Sequence, residues 1–128
     1  MANFEPSIAG KRFLVLDDEF LIALDIQQIL ETVGAAAVRS VATADEALAL
    51  LRTDLKFDLA VLDVKLSGAT RDSGSVAAFL SDKGIPFVFL TGMHRQDGRI
   101  RQYPNAPVVE KPYEAPLLID AIMRALGR

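Results

Sequence analysis

The chain has no cysteine among its 128 residues. Disulfides, thiolate metal sites and cysteine nucleophiles are therefore excluded, and the usage fits a reducing compartment. There is one histidine, His94, which would stand alone as a metal ligand where a site needs several. No stretch approaches the roughly 18 apolar residues of a membrane helix. Met1 to Gly10 lacks the apolar run of a signal peptide and carries Glu5 and Pro6. A cytoplasmic protein with no membrane attachment is expected. The formal net charge is only −3, so the overall balance makes no case for nucleic acid. His94, Arg95, Arg99 and Arg101 form a local basic stretch without interleaved aromatics. It reads as a solvated loop or a surface for acidic partners, not as a nucleic-acid interface.

What is present is apolar residue: 51% of the chain is hydrophobic, enough for one core at this length. Residues 1–10 read as a leader broken by Pro6 and Gly10, and 11–128 as one domain. Lys11 to Asp17 is an apolar run ending in acid, a buried strand. Asp18 to Val33 is a helix with Ile22, Ile26, Ile29, Leu30 and Val33 on one face, stopped by Gly34. Ala35 to Val41 is a weak strand. Thr43, with Glu46 three residues on, forms a capping box that opens a helix. Phe57 to Asp63 is another strand ending in acid. Val64 to Gly74 is loop, with a turn at Ser67-Gly68. Ser75 to Asp82 is a short helix closed by Gly84. Pro86 to Thr91 is a strand apolar throughout, as suits one covered on both faces. Met93 to Asn105 is a poor helix of one or two turns. Pro107 to Glu110 is a short strand. Tyr113 to Leu126 is the last helix, with Pro116 in its first turn and Leu118, Ile119, Ile122 and Leu126 inward. It runs to the end of the chain at Arg128, so no output domain is expected after it.

Strand and helix alternate five times, which predicts a parallel α/β sheet with helices on both faces. In such a sheet, function sits at the carboxyl ends of the strands. Those ends carry Asp17, Asp18 and Glu19 on the first strand, Asp63 on the third, Thr91 on the fourth and Lys111 on the fifth. A single acid at a strand end is usually solvated. Three carboxylates at two neighbouring tips, Asp17, Asp18 and Asp63, with Glu19 next to them, repel one another unless a cation is present. Acids without histidine or cysteine make a hard oxygen site suited to Mg²⁺. Lysine adds a point charge for a phosphate oxygen, threonine a hydroxyl donor, and aspartate can be the nucleophile.

Asp17-Asp18, Asp63 within Val61-Leu62-Asp63-Val64, Leu90-Thr91-Gly92 and Glu110-Lys111-Pro112 resemble the receiver domain of two-component response regulators, over roughly residues 10–127. The resemblance implies a doubly wound five-stranded sheet of order 2-1-3-4-5, flavodoxin-like in fold. It implies that Asp63 accepts a phosphoryl group from a histidine kinase or a histidine phosphotransfer protein, and that a downstream partner or a relay follows. It implies Mg²⁺ on Asp18, on Asp17 largely through water, on Asp63 and on the backbone carbonyl of Lys65. Thr91 and Lys111 would each engage a phosphoryl oxygen, and Lys111-Pro112 would be a cis bond. Phe87 to Gly92 is also similar to a Phe-x-Thr-Gly subgroup of stand-alone receivers common in alphaproteobacteria.

Departures from the pattern bear on the switch. Val108 stands three residues before the lysine, where many receivers carry an aromatic ring. Lys65 and Met93 offer no carboxylate or amide oxygen to orient water, so slow to moderate self-dephosphorylation is expected. Phe20, Leu21 and Leu24 widen the apolar face of the first helix beyond one buried stripe, which predicts a docking surface for the phosphodonor. Two rivals remain. A receiver fold working unphosphorylated as an interaction module should have lost an acid or the lysine, and neither is lost. An aspartyl hydrolase wants a second Asp two residues after the nucleophile, where this chain has Lys65. No enzyme with a small-molecule product is expected.

Overall fold

Short apolar segments too brief for helices alternate with longer amphipathic ones, and each adopts the structure its period demands. The computed structural model describes residues 5–54, 56–64, 73–92 and 98–127. The elements run β1 (Arg12–Leu16), α1 (Phe20–Thr32), β2 (Ala37–Val41), α2 (Ala44–Thr53), β3 (Leu59–Asp63), α3 (Ser73–Lys83), β4 (Phe87–Thr91), α4 (Gly98–Arg101), β5 (Val108–Glu110) and α5 (Ala115–Leu126). They build one sheet of order β2-β1-β3-β4-β5. All four pairings are parallel, with Leu14 opposite Ala60 and Asp63 opposite Leu90 among them. This is the doubly wound α/β architecture expected.

Alternation along the strands sorts their side chains into two cores. Leu14, Leu16, Ala60, Leu62, Phe87 and Phe89 pack with Leu48 and Leu51 of α2 and Val76 and Leu80 of α3. Phe13, Val15, Leu59, Val61, Val88, Leu90 and Val109 pack with Ile26 and Leu30 of α1 and Leu118 and Ile122 of α5. β1, β3 and β4 are covered on both faces, so apart from Arg12, Asp63 and Thr91 at their ends their sequences are apolar. Burying each such Leu or Phe contributes about 1.5–3 kcal/mol.

The local signals for element ends are met with some shifts. Thr43 caps α2, accepting from the Glu46 N–H, and the Glu46 carboxylate reaches back to the Thr43 N–H, closing the capping box. Gly34 follows α1 at φ 107°, a left-handed turn that a side chain would strain. α1 begins at Phe20, not Asp18, because Asp17 and Asp18 lie in the turn that precedes it. α3 begins at Ser73, not Ser75: the Ser73 side chain is buried and its hydroxyl donates to the Val64 carbonyl at 3.3 Å. On α5 the buried stripe is Leu118, Ala121, Ile122 and Ala125, while Ile119 and Leu126 are only partly buried.

Residues 5–10 form turns that attach to the domain. The Glu5 N–H donates to the Val33 carbonyl and the Gly10 N–H to the Gly34 carbonyl. Ile8 is fully buried within the α1–α5 layer. No helix among the described residues is long and apolar enough to cross a membrane.

Candidate functional site

The strand order reverses between β1 and β3: the chain leaves β1 for β2 on one side and returns to β3 on the other. That switch point opens a crevice at the strand carboxyl ends. Asp17 follows β1 there, and Asp63 ends β3. Carboxylate oxygens of Asp17, Asp18, Glu19 and Asp63 all lie within 4.8 Å of one another. Asp17 and Asp63 are buried, Asp18 half-buried and Glu19 exposed.

One ammonium group meets three of these acids. Lys111 Nζ lies 2.9 Å from Glu19 Oε1, 3.2 Å from Asp17 Oδ2 and 3.5 Å from Asp63 Oδ1. The backbone holds it there, since the Lys111 N–H donates to the Thr91 carbonyl at 2.7 Å, which extends the β4–β5 ladder by one residue. The Lys111-Pro112 bond is cis, as expected. Thr91 ends β4 with its side chain buried. Asp17, Asp18, Asp63, Thr91 and Lys111, far apart in sequence, are thus gathered at one edge of the sheet.

The electrostatics are unbalanced. Burial pushes the Asp17 carboxyl above its ordinary value, and the opposing pull of the Glu19 N–H and of Lys111 does not cancel it. Asp17 Oδ1 accepts from the Glu19 N–H at 2.8 Å. Asp17 Oδ2 is buried and has only the ion-pair contact with Lys111, whose geometry falls short of a hydrogen bond. Burial works to lower the Lys111 ammonium, but Glu19, Asp63 and Asp17 outweigh it and hold the lysine protonated above its ordinary value. A buried acceptor with no hydrogen bond, in a donor set made wholly of carboxylates, fits a hard divalent cation.

Two contacts escaped sequence reasoning. Glu19 reads in the sequence as one more acid beside Asp17 and Asp18, yet it makes the shortest contact to Lys111. Its place two residues after Asp17 was the available signal. Tyr113, just past the cis bond, donates its hydroxyl to Asp25 on α1 at 2.8 Å. Burial, then Asp25, pushes the Tyr113 phenol well above its ordinary value. No sequence pattern announces that pair, which joins residues 88 apart.

Lys65 and Met93, with His94, Arg95 and the turn at Ser67-Gly68, lie outside the described residues. The basic stretch retains α4, a single turn. Val108 is half-buried against the α2–α3 core. Tyr103 packs edge-on to Phe87 at 5.3 Å between ring centres and tilted to Phe89 at 6.3 Å. Phe20 and Leu21 are each 75% exposed and Leu24 36%, a row of large apolar side chains at the start of α1.

Fold and site together define a doubly wound domain with an acidic crevice at its switch point, bridged by one lysine. No protein-family model matches the chain. The transcriptional regulatory protein PdtaR of Mycobacterium tuberculosis is 32% identical over 121 residues, 92% of this chain and 58% of that protein. The chain therefore spans little more than half the length of this curated relative. The solution structure of SdrG from Sphingomonas melonis Fr1 is 31% identical, covering 98% of this chain and 99% of that one, with a TM-score of 0.76. A response regulator receiver protein from Sinorhizobium medicae WSM419 is 25% identical over 92% of this chain and 95% of that one, with a TM-score of 0.79. This chain belongs to the response regulator receiver domains. Membership supports a phosphoacceptor role in two-component signalling.

Proposed function

We propose that the domain accepts a phosphoryl group on Asp63 from a phosphohistidine and signals through the change in charge that follows. The observation that carries this reading is the buried Asp63 carboxylate 3.5 Å from Lys111 Nζ, with Asp17 and Asp18 beside it. An Asp63 carboxylate oxygen attacks phosphorus in line with the phosphohistidine nitrogen. The O–P bond forms as the N–P bond breaks, and the imidazole leaves with the electron pair and takes up a proton. Little covalent help is needed from other side chains, and positioning and charge neutralisation do the rest. Asp17, Asp18, Asp63 and the Lys65 backbone carbonyl would hold Mg²⁺, which when bound supplies neutralising charge to the phosphoryl oxygens. Lys111 pairs with one of those oxygens and the Thr91 hydroxyl donates to another.

The product is an acyl phosphate with more negative charge and three acceptor oxygens in place of a carboxylate. A coupling of about 1–3 kcal/mol between that charge and the partner-binding surface suffices for a useful switch. Phe20, Leu21 and Leu24 fit the docking face for a sensor histidine kinase or histidine phosphotransfer protein, since exposed apolar groups together mark partner sites. The output is a downstream protein partner or onward relay in the cytoplasm. It involves no direct nucleic-acid binding, no membrane attachment and no small-molecule product.

Incubation with Mg²⁺ and acetyl phosphate tests the reading by intact mass. A gain of one phosphoryl group, lost in Asp63→Asn, is the expected result. Multiple turnover of a phosphate ester would point instead to the aspartyl hydrolase. No modification under any condition would leave the phosphorylation-independent interaction module.

A further inference from the structure

Glu19 occupies the N-cap position of α1, a helix of 13 residues, yet its side chain makes no capping hydrogen bond. A carboxylate there would normally satisfy the free N–H groups of the first turn. Instead it reaches across to Lys111 Nζ at 2.9 Å, closer than either Asp17 or Asp63. The three acids differ in burial. The Glu19 side chain is 59% exposed, against 0% for Asp17 and 4% for Asp63. The shortest contact of Lys111 is thus to the most solvated of the three acids, not to the buried nucleophile.

We propose that Glu19 is a positioning residue that acts through Lys111, holding the ammonium on the outer side of the crevice at rest and yielding it when Asp63 is phosphorylated. This rests on the phosphoacceptor reading above and adds to it. An ammonium has three donors and no directional fork, so it redistributes among neighbouring oxygens as their charges change. A phosphoryl group arriving on Asp63 brings three acceptor oxygens and more charge to the inner side. Lys111 must then give up part of its contact with Glu19. Because Glu19 is largely solvated, that contact is weak enough to exchange and strong enough to bias the resting state. Phosphorylation in this chain is therefore held back by an acid that never touches the phosphoryl group.

The test follows transfer from acetyl phosphate under saturating Mg²⁺. An Asp63 oxygen attacks phosphorus, the O–P bond to acetate breaks, and acetate leaves with the electron pair. Glu19→Gln should raise the rate of mass gain by about two- to fivefold, the range an exposed ion pair can supply. Glu19→Asp keeps the charge but shortens the reach, so it should follow Glu19→Gln. In a Lys111→Met background, Glu19→Gln should change nothing. The Mg²⁺ dissociation constant, by calorimetry, should be the same for wild type and Glu19→Gln. Rates for Glu19→Gln equal to or below wild type overturn the proposal. So does Glu19→Asp behaving as wild type, or an acceleration that persists without Lys111, because either means the acid acts by repelling the anionic donor. A weakened Mg²⁺ affinity makes Glu19 a metal ligand and also overturns it. If wild type gains no phosphoryl group, the phosphoacceptor reading falls and this inference with it. Gain by wild type with equal rates in the variants removes this inference alone.

Discussion

Each end of the sheet pairs a base with acids, and the two ends handle charge in opposite ways. At the amino end, Arg12 donates to both oxygens of Asp54, at 2.8 and 3.4 Å, and its backbone N–H donates to Asp58. The pair is partly exposed. The hydrogen bond from Arg12 holds the Asp54 carboxyl below its ordinary value. At the carboxyl end, one lysine is shared among three acids, two of them buried, and burial raises Asp17. The first arrangement is satisfied within the chain, and its ionised form is favoured by folding. The second is satisfied only in part, and folding opposes the ionised form of Asp17 while favouring that of Lys111. Unbalanced buried charge of this kind marks sites that expect a ligand.

Removing the base from the carboxyl end is the strongest way to expose this asymmetry. Lys111→Met takes away the cation shared by buried Asp17 and Asp63. It should lower the unfolding free energy by about 2 kcal/mol, below the loss for a fully enclosed pair because Lys111 keeps 15% exposure. Urea denaturation without divalent cations measures it, and saturating MgCl₂ should restore much of the loss. A Lys111→Met protein as stable as wild type in EDTA would mean that the crevice is better hydrated than its burial indicates.

Removing an acid from the same place should act in the other direction. Asp17→Asn relieves a buried carboxylate and should stabilise the metal-free fold by about 1 kcal/mol. The same variant should lose most of the gain in melting temperature that Mg²⁺ gives wild type. The stabilisation behind that gain should be about 1.4 kcal/mol at ten times the dissociation constant. Destabilisation by Asp17→Asn in EDTA would show that the ion pair with Lys111 outweighs the desolvation of Asp17.

The two ends also differ in how far they could be read from residue order. The crevice acids stand at the ends of apolar runs, so the strand pattern alone brings Asp17, Asp18, Asp63, Thr91 and Lys111 to one edge. Lys111 contacting Glu19 before Asp63 was not legible, because it depends on where a four-carbon chain comes to rest among competing oxygens. The Arg12–Asp54 pair was missed for a different reason. Both residues look like ordinary solvated charges, and only the register of β1 against the end of α2 brings them together. In the fold, the elements and their order followed from periodicity, while their ends moved where a side chain found a tertiary partner. Ser73 joins α3 because Val64 takes its hydroxyl. Tyr113 stays outside α5, whose cap is Glu114 with Pro116 in its first turn, and its phenol instead reaches Asp25 on α1. Ala121 and Ala125 complete the buried face of α5, and a search for large apolar residues passes over them.

Titration sharpens the comparison, because the shifts at the two ends have opposite signs. Asp17 has a folded value above its unfolded value near 3.8. Its contribution to stability is greatest below that pH and is lost as pH rises through the raised folded value. Asp54 has a folded value below 3.8, so its contribution is present above that pH and is lost as pH falls through the lowered folded value. Metal-free stability curves from pH 3 to 8 should therefore diverge. Asp17→Asn should gain on wild type as pH rises, and Asp54→Asn should fall further behind it. Parallel curves for the two variants would remove the claimed difference between the ends.

Salt produces the smallest effect and separates the ends by depth. The Arg12–Asp54 pair is solvated on one side, so its attraction is screened once the Debye length falls to about 3 Å at 1 M salt. Arg12→Ala should be slightly less stable than wild type in dilute buffer and indistinguishable from it in 1 M NaCl. Arg12 also lies over the Phe57 ring, 5.0 Å from its centre, and that contact depends less on ionic strength. A remainder that survives 1 M NaCl in Arg12→Ala but not in Asp54→Asn would assign part of the effect to the stacking. The Lys111 cluster should respond less to sodium, because Asp17 is sealed from solvent and only Glu19 stands well into water. If 1 M NaCl abolished the destabilisation by Lys111→Met as fully as that by Arg12→Ala, the charges at the two ends would be equally solvated. The distinction between a structural pair and a poised site would then have no basis in burial.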